Sequence, residues 1–258
     1  MNSRILTIAS NTFREAVRDR VLYNLIAFAL LMVGAAILVG QISIGIERLV
    51  VLNLGLTAVS VFGMLIAIFI GIGLVSKEIE KRTLYTVLSR PVRRWEFIVG
   101  KYFGLAGTLV VNTFLMTVGV LGALFYVSHK IERLDAWVLV AVYFIVLQFL
   151  IITALTLLFS SFSSTIMSAV FAFALFVIGS FAEDLRGFAE ITPGIAGTLA
   201  KGAAYVVPNF SALNVITSVA HGETVAGKLI FFNTAYAIFY SAAVLAGAVL
   251  IFDRRSMK

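Results

Sequence analysis

The chain has no cysteine, two histidines and three prolines in 258 residues, and only 13% of it is charged. Without cysteine there is no disulfide framework, thiolate metal site or redox pair. His129 and His221 have no second ligand near them in sequence, and the six methionines are scattered, so no metal-ligand spacing exists. A soluble domain of this length carries about 25% charged residues. With 61% hydrophobic residues and a mean hydropathy of +1.05, the chain has too little polar surface to coat a water-soluble globule. The alternating ten-residue pattern of a membrane barrel is also missing.

What is present is a series of long uncharged apolar runs, at about 21–42, 49–75, 102–127, 137–159, 165–182 and 229–252. Runs of this length read as transmembrane helices, because in lipid the backbone must satisfy its own hydrogen bonds. The expected fold is an all-α integral membrane protein with six spans. The first run is too long for a signal-peptide core and has no small-residue cleavage site before Gln41, so it is expected to be retained. The fifth, near the lower length limit, is separated from the fourth only by Ser160, Ser161, Phe162, Ser163 and Ser164, read as a tight turn. With the N-terminus inside, the inner segments hold fourteen basic residues and the outer ones six. Both termini are therefore expected on the cytoplasmic side of the cytoplasmic membrane. The net charge of +7 is topology and calls for no nucleic acid. No Asp, Glu, Lys, Arg or His lies inside the runs, which argues against a proton- or ion-coupled carrier.

Two inner segments carry more than charge. From Asn2 to about Arg20, Ile5, Leu6, Ile8, Phe13, Ala16 and Val17 share one broad helical face, with Arg4, Asn11, Arg14, Glu15 and Arg18 largely elsewhere. This predicts an amphipathic helix at the inner membrane surface. The loop from Ser76 to Lys101 holds seven basic and three acidic residues. Glu80, Thr83, Leu84 and Leu88 have helical spacing, and Pro91 should end that helix near Ser89. A second helix should start at Val92 and run into the third span. Leu84, Leu88, Trp95 and Phe97 would then be available as a docking surface.

This loop resembles the coupling region of type-2 ATP-binding-cassette exporter permeases. The matching residues are Glu78 and Glu80, Thr83 and Leu84, then Leu88, Ser89, Pro91, Val92, Arg94, Glu96, Gly100 and Lys101. Arg82 stands where many members have glycine. Phe13-Arg14-Glu15-x-x-Arg18 resembles the entry helix of the subgroup that includes the copper-maturation permease of nitrous oxide reductase. Pro208-Asn209-Phe210 is similar to a motif in that subgroup's last external region, and Ile251-Phe252-Asp253-Arg254-Arg255 to its tail. The resemblance implies two permease subunits, identical or paralogous, each resting on a separate ATPase that holds the ATP and Mg²⁺; this chain would carry no cofactor and no catalytic site. It also implies that ATPase closure pushes on the loop around Arg90 to Glu96 and on the serine turn. Short re-entrant helices between the last two spans are implied as well. Two other classes stay open: a membrane anchor or assembly subunit that moves nothing, and a secondary carrier.

Other features have plainer readings. Gly222-Glu-Thr-Val-Ala-Gly227-Lys228-Leu229 falls one residue short of a phosphate-binding loop, because Leu229 replaces the Mg²⁺-binding hydroxyl. Ser180 has no base placed to activate it. Gly100-x-x-x-Gly104, with Gly107 beyond, marks a close helix contact, more often within one chain than between two. Asn53, Asn112, Gln148 and Asn233 are polar amides within the spans; such residues usually bridge neighbouring helices. The apolar region from Glu183 to Gly227 should fold back on the membrane, with short helices at Ile195 to Val207 and Ala212 to Val219.

Overall fold

The computed structural model describes residues 2–43, 45–80, 93–128, 136–192 and 194–254. Among them every regular element is helical. Helix α1 is Asn2–Val17, α2 Arg20–Ile42, α3 Glu47–Glu80, α4 Arg94–Ser128, α5 Ala136–Phe162, α6 Thr165–Ser180, α7 Ala182–Ile191, α8 Ile195–Val206, α9 Ile216–Ala220 and α10 Gly227–Arg254. A 3₁₀ turn at Ser211–Leu213 precedes α9. Five helices, α2, α3, α4, α5 and α10, are long and apolar enough to cross a membrane. Among the described residues a sixth span exists only if α6 and α7, bent by 58°, count as one. The protein is thus an all-α, multi-pass membrane protein.

The layers follow from where small residues allow close approach. In α3, 72% of the apolar window is buried and in α5 67%, against 28% in α2 and 22% in α10. Helix α3 is central because glycine recurs along it. A Cβ on Gly55 would lie 3.1 Å from Val120 of α4; on Gly63 it would enter the Phe149 ring of α5; on Gly71 it would sit 2.7 Å from Thr156 Oγ1. Eight-residue steps drift about 80° around a helix, so one glycine series serves two neighbours. Polar side chains then tie the layers. Ser60 Oγ donates to Gln148 Oε1 at 3.3 Å, and Gln148 Nε2 donates to Leu213 O at 3.1 Å. Gln148 is therefore a bridge, as its type suggests.

Three boundaries differ from expectation. The turn after the fourth span occupies only Ser163 and Ser164, since α5 continues through Phe162. Ser160 and Ser161 stay helical because their hydroxyls donate back to Leu157 O and Leu158 O, at 3.0 and 2.6 Å. Helix α6 stops at Ser180 without proline, because the chain after Pro208 occupies its end. Phe210 N–H donates to Gly179 O at 3.0 Å, and the Phe210 ring lies 5.4 Å from Phe176. Helix α7 follows, although the first short helix of this region was expected only at Ile195.

The segment between α6 and α10 does fold back onto the bundle. Asn209 Oδ1 accepts from Ser211 Oγ and from the Ala212 N–H, holding the 3₁₀ turn. The Asn209 N–H donates to Tyr236 Oη at 2.8 Å, Tyr240 Oη donates to Val206 O at 3.0 Å, and Asn233 Nδ2 donates to Ala212 O at 2.8 Å. Tyr236 and Tyr240 lie roughly 14 and 20 Å along α10 from its start, at about 1.5 Å per residue. The base of the α7–α8 hairpin therefore sits well below the end of the bundle.

Candidate functional site

At the opposite end, four helices meet around the start of α4. Arg93 takes the position before the helix, and its N–H donates to Glu96 Oε2 at 2.9 Å. This is half of a capping box, with the acid three residues in satisfying a free donor. It explains why α4 begins at Arg94 rather than at Val92. Glu96 is buried, and its negative charge suits the positive end of the helix dipole.

Arg94 faces the other way. Its Nη1 donates to Phe252 O and Asp253 O, both at 2.9 Å, its Nε lies 4.0 Å from Asp253 Oδ1, and its guanidinium stands 6.0 Å from the Phe252 ring centre. The last carbonyls of a helix have no partner within it, and a guanidinium has five donors in a rigid fork. Arg94 thus closes the C-terminal end of α10. Beneath it Phe97 stacks on Phe252, with ring centres 5.9 Å apart and planes 14° apart. Phe97, Ile98, Ala248 and Phe252 form a small core separate from the main one, and Leu158 of α5 packs on it. Phe97, read from sequence as a free docking residue, is 4% exposed and spent inside the chain.

Helix α1 completes the site by filling the glycine stripe of α4. A Cβ on Gly100 would meet Ile8 Cγ2 at 2.6 Å and Ile5 O at 3.3 Å. On Gly104 it would meet Ala9 O and Thr12 Cβ, both at 2.6 Å, and on Gly107 Phe13 at 3.7 Å. The contacts advance together along both helices, so α1 runs alongside α4 in the same direction. Its buried strip is Thr12 and Ala16, with Ile5 and Ile8 half-buried; Leu6, expected on the apolar face, is 67% exposed. The strip is narrow because a glycine stripe receives only one ridge of side chains. Lys101 Nζ lies 3.8 Å from Glu15 Oε2 and 5.6 Å from the Phe97 ring centre, its side chain 3% exposed. Burying an ammonium is costly unless it is paired, and Glu15 supplies a carboxylate. Phe13 and Glu15 of the entry helix therefore both act on α4. Arg14 and Arg18 point away from it, and both are exposed.

The sequence-predicted residues fall into four groups. Arg94, Glu96 and Lys101 come together with Glu15 around Phe97. Glu78 and Glu80 end α3. Thr83, Leu84, Leu88, Ser89, Arg90 and Pro91 lie outside the described residues. Of the serine turn, Ser160 and Ser161 are buried, Ser163 and Ser164 form the reversal, and the Ser168 N–H donates to Ser164 O at 2.9 Å. That reversal follows Leu158 by little more than one helical turn, so it shares this end of the bundle. The meeting of Arg94 with the tail was not foreseen. A signal for it existed: any helix ending in the membrane zone needs partners for its last carbonyls.

The Gly222–Leu229 segment is no phosphate loop. Gly227 opens α10, the chain before it is an α-helix and a turn rather than a strand, and Lys228 Nζ lies 5.8 Å from the Phe232 ring centre.

No curated protein matches this chain. The model of the ABC-2 family transporter proteins matches residues 6–257, nearly the full length, from the entry helix through the tail that Arg94 closes. By that match over its whole membrane bundle, the chain belongs to the ABC-2 transporter family, as a multi-pass permease subunit of an ABC transporter.

Proposed function

We propose that this permease is driven by a separate ATPase subunit that binds ATP and Mg²⁺, and that it exports its cargo. The observation that supports this reading is the junction at the start of α4. One short stretch, Arg93 to Lys101, is fastened to α1 through Glu15, to α10 through Phe252 and Asp253, and to α5 through Leu158. A push delivered anywhere on the segment from Lys81 to Val92 would reach four helices at once. Packed interfaces of this kind are bistable rather than soft, so a local push becomes a rigid-body shift. The serine reversal at Ser163 and Ser164 offers the ATPase a second contact on the same end.

In this reading the junction end faces the cytoplasm, as the distribution of basic residues requires. A second permease copy completes the path, and the ATPase docks on Arg90, Pro91 and the exposed Arg93, while Arg94, Glu96 and Lys101 transmit. The three motifs that resemble the copper-maturation subgroup each make an internal contact, and their resemblance supports membership there.

The test is isolation of the protein from its native membrane in gentle detergent, followed by mass spectrometry of what accompanies it. An ATPase with a phosphate-binding loop, in about equal amount, is the expected result. Its absence, even after crosslinking with nucleotide present, would favour an anchor or assembly subunit. In the isolated complex, Lys228→Ala should leave ATP turnover unchanged, since Lys228 belongs to the far end; a loss of turnover with the fold intact would reopen the Gly222–Leu229 segment as a nucleotide site.

A further inference from the structure

The α7–α8 hairpin encloses a cleft of about 170 Å³ lined by Arg186, Glu190, Lys201 and Tyr205. Arg186 and Glu190 are four residues apart on α7, and Lys201 and Tyr205 four apart on α8, so each pair lies on one helix face and the two faces oppose each other. Among the described residues neither cation makes an ion pair. The flanks of the hairpin are apolar and exposed, at Phe188, Ile191, Ile195, Leu199 and Val206. The hairpin base lies beside Tyr236 and Tyr240, deep along α10. Arg186 and Lys201 come four and five residues from that base, roughly 6 to 8 Å outward at 1.5 Å per residue. Two unpaired cations facing one cleft attract an anion, and long cationic side chains beside apolar flanks reach for a headgroup layer.

We propose that this cleft binds the headgroup of a zwitterionic phospholipid, one that joins a phosphate to a short alkylammonium arm. Arg186 and Lys201 take the phosphate. Glu190, one helical turn beyond Arg186, takes the ammonium. The apolar flanks lie against the acyl chains. At about 170 Å³ the cleft has room for a phosphate with a short amine arm. A purely anionic headgroup fits less well, because Glu190 repels added negative charge.

The test uses the purified full-length protein and native mass spectrometry with added phosphatidylethanolamine, phosphatidylglycerol or diacylglycerol. Phosphatidylethanolamine should bind most tightly and diacylglycerol least. Arg186→Gln with Lys201→Gln should weaken phosphatidylethanolamine by about tenfold or more, some 1.4 kcal/mol. Glu190→Gln should erase the preference for phosphatidylethanolamine over phosphatidylglycerol while keeping both above diacylglycerol. Glu190, Lys201 and Arg186 are all exposed, so these variants leave the packing intact. Equal binding of the three lipids by the parent protein would overturn the proposal. So would full affinity in the double variant, or an unchanged preference in Glu190→Gln. Displacement of the lipid by inorganic phosphate at comparable concentration would instead assign the cleft to a free anion and overturn the lipid.

Discussion

Gly104→Leu should detach α1 from α4 while the spans still insert. The reason is geometric. Even a Cβ at Gly104 would lie 2.6 Å from Ala9 O, a backbone atom that cannot rotate away, and 2.6 Å from Thr12 Cβ. A leucine adds three more carbons to a space already closed, so the helices must separate rather than adjust. The chain has no cysteine, which makes a reporter simple. In an otherwise unchanged protein, Thr12→Cys is buried against α4 (Thr12 is 2% exposed) and should react slowly with a soluble maleimide. In the Gly104→Leu background the rate should rise about tenfold or more, as expected when a protected site opens by over 1.4 kcal/mol. Gly122→Leu, on the same helix, is the control. Nothing lies within 4 Å of a Cβ there, so labelling at position 12 should not change. Equal labelling in all three backgrounds would mean that α1 does not rest on the glycine stripe.

Arg94→Ala should both destabilise the protein and uncouple it from ATP turnover. Two hydrogen bonds from a charged donor to the last carbonyls of α10 are lost. Such bonds contribute roughly 1.5 to 3 kcal/mol each, and carbonyls left in an apolar setting add to the cost. Partial exposure of Arg94, 31% for the side chain, tempers this, so a net loss of about 2 to 3 kcal/mol is expected. Arg94→Lys should recover little, because an ammonium cannot span two carbonyls as a planar fork does. Phe252→Ala removes the stacked ring beneath and should cost about 3 to 5 kcal/mol. The two residues touch, so their effects should fall short of additive. Thermal unfolding in detergent reads the stability. ATP hydrolysis by the isolated complex, with and without cargo movement, reads the coupling. A full-strength transporter with Arg94→Ala would remove the junction from the mechanism.

The sequence made the membrane class legible because it rests on summed hydropathy, which needs no tertiary contact. Five of the six runs became single long helices for that reason. The run at 165–182 did not, since its end is set by Pro208 to Phe210 packing on Gly179 from about thirty residues away. No local residue announces that break; Gly179 is explained only once Phe210 is seen on it. The serine cluster misled for a related reason. Serine favours turns when its hydroxyl competes for the backbone, yet at Ser160 and Ser161 the hydroxyls bond within the helix instead. At the site, Glu96, Arg94 and Lys101 were singled out by motif, and the glycine stripe by spacing. Their partners were not, because Arg94 and Phe252 lie 158 residues apart in sequence. The reading of Phe97 as a docking residue failed on the same ground: an aromatic in a charged loop looks available until its stacking partner is known.

In the proposed mechanism energy enters at the α4 start and not at the α7–α8 hairpin. A photo-crosslinking residue at position 93 and another at position 202, in separate copies of the protein within the native membrane, test that directly. Arg93 is exposed beside the junction, and Gly202 is exposed on the hairpin with open space around it. The predicted result is an ATPase adduct from position 93, changed in yield by ATP, and none from position 202. An adduct from position 202, or none from position 93 in any nucleotide state, would contradict the account.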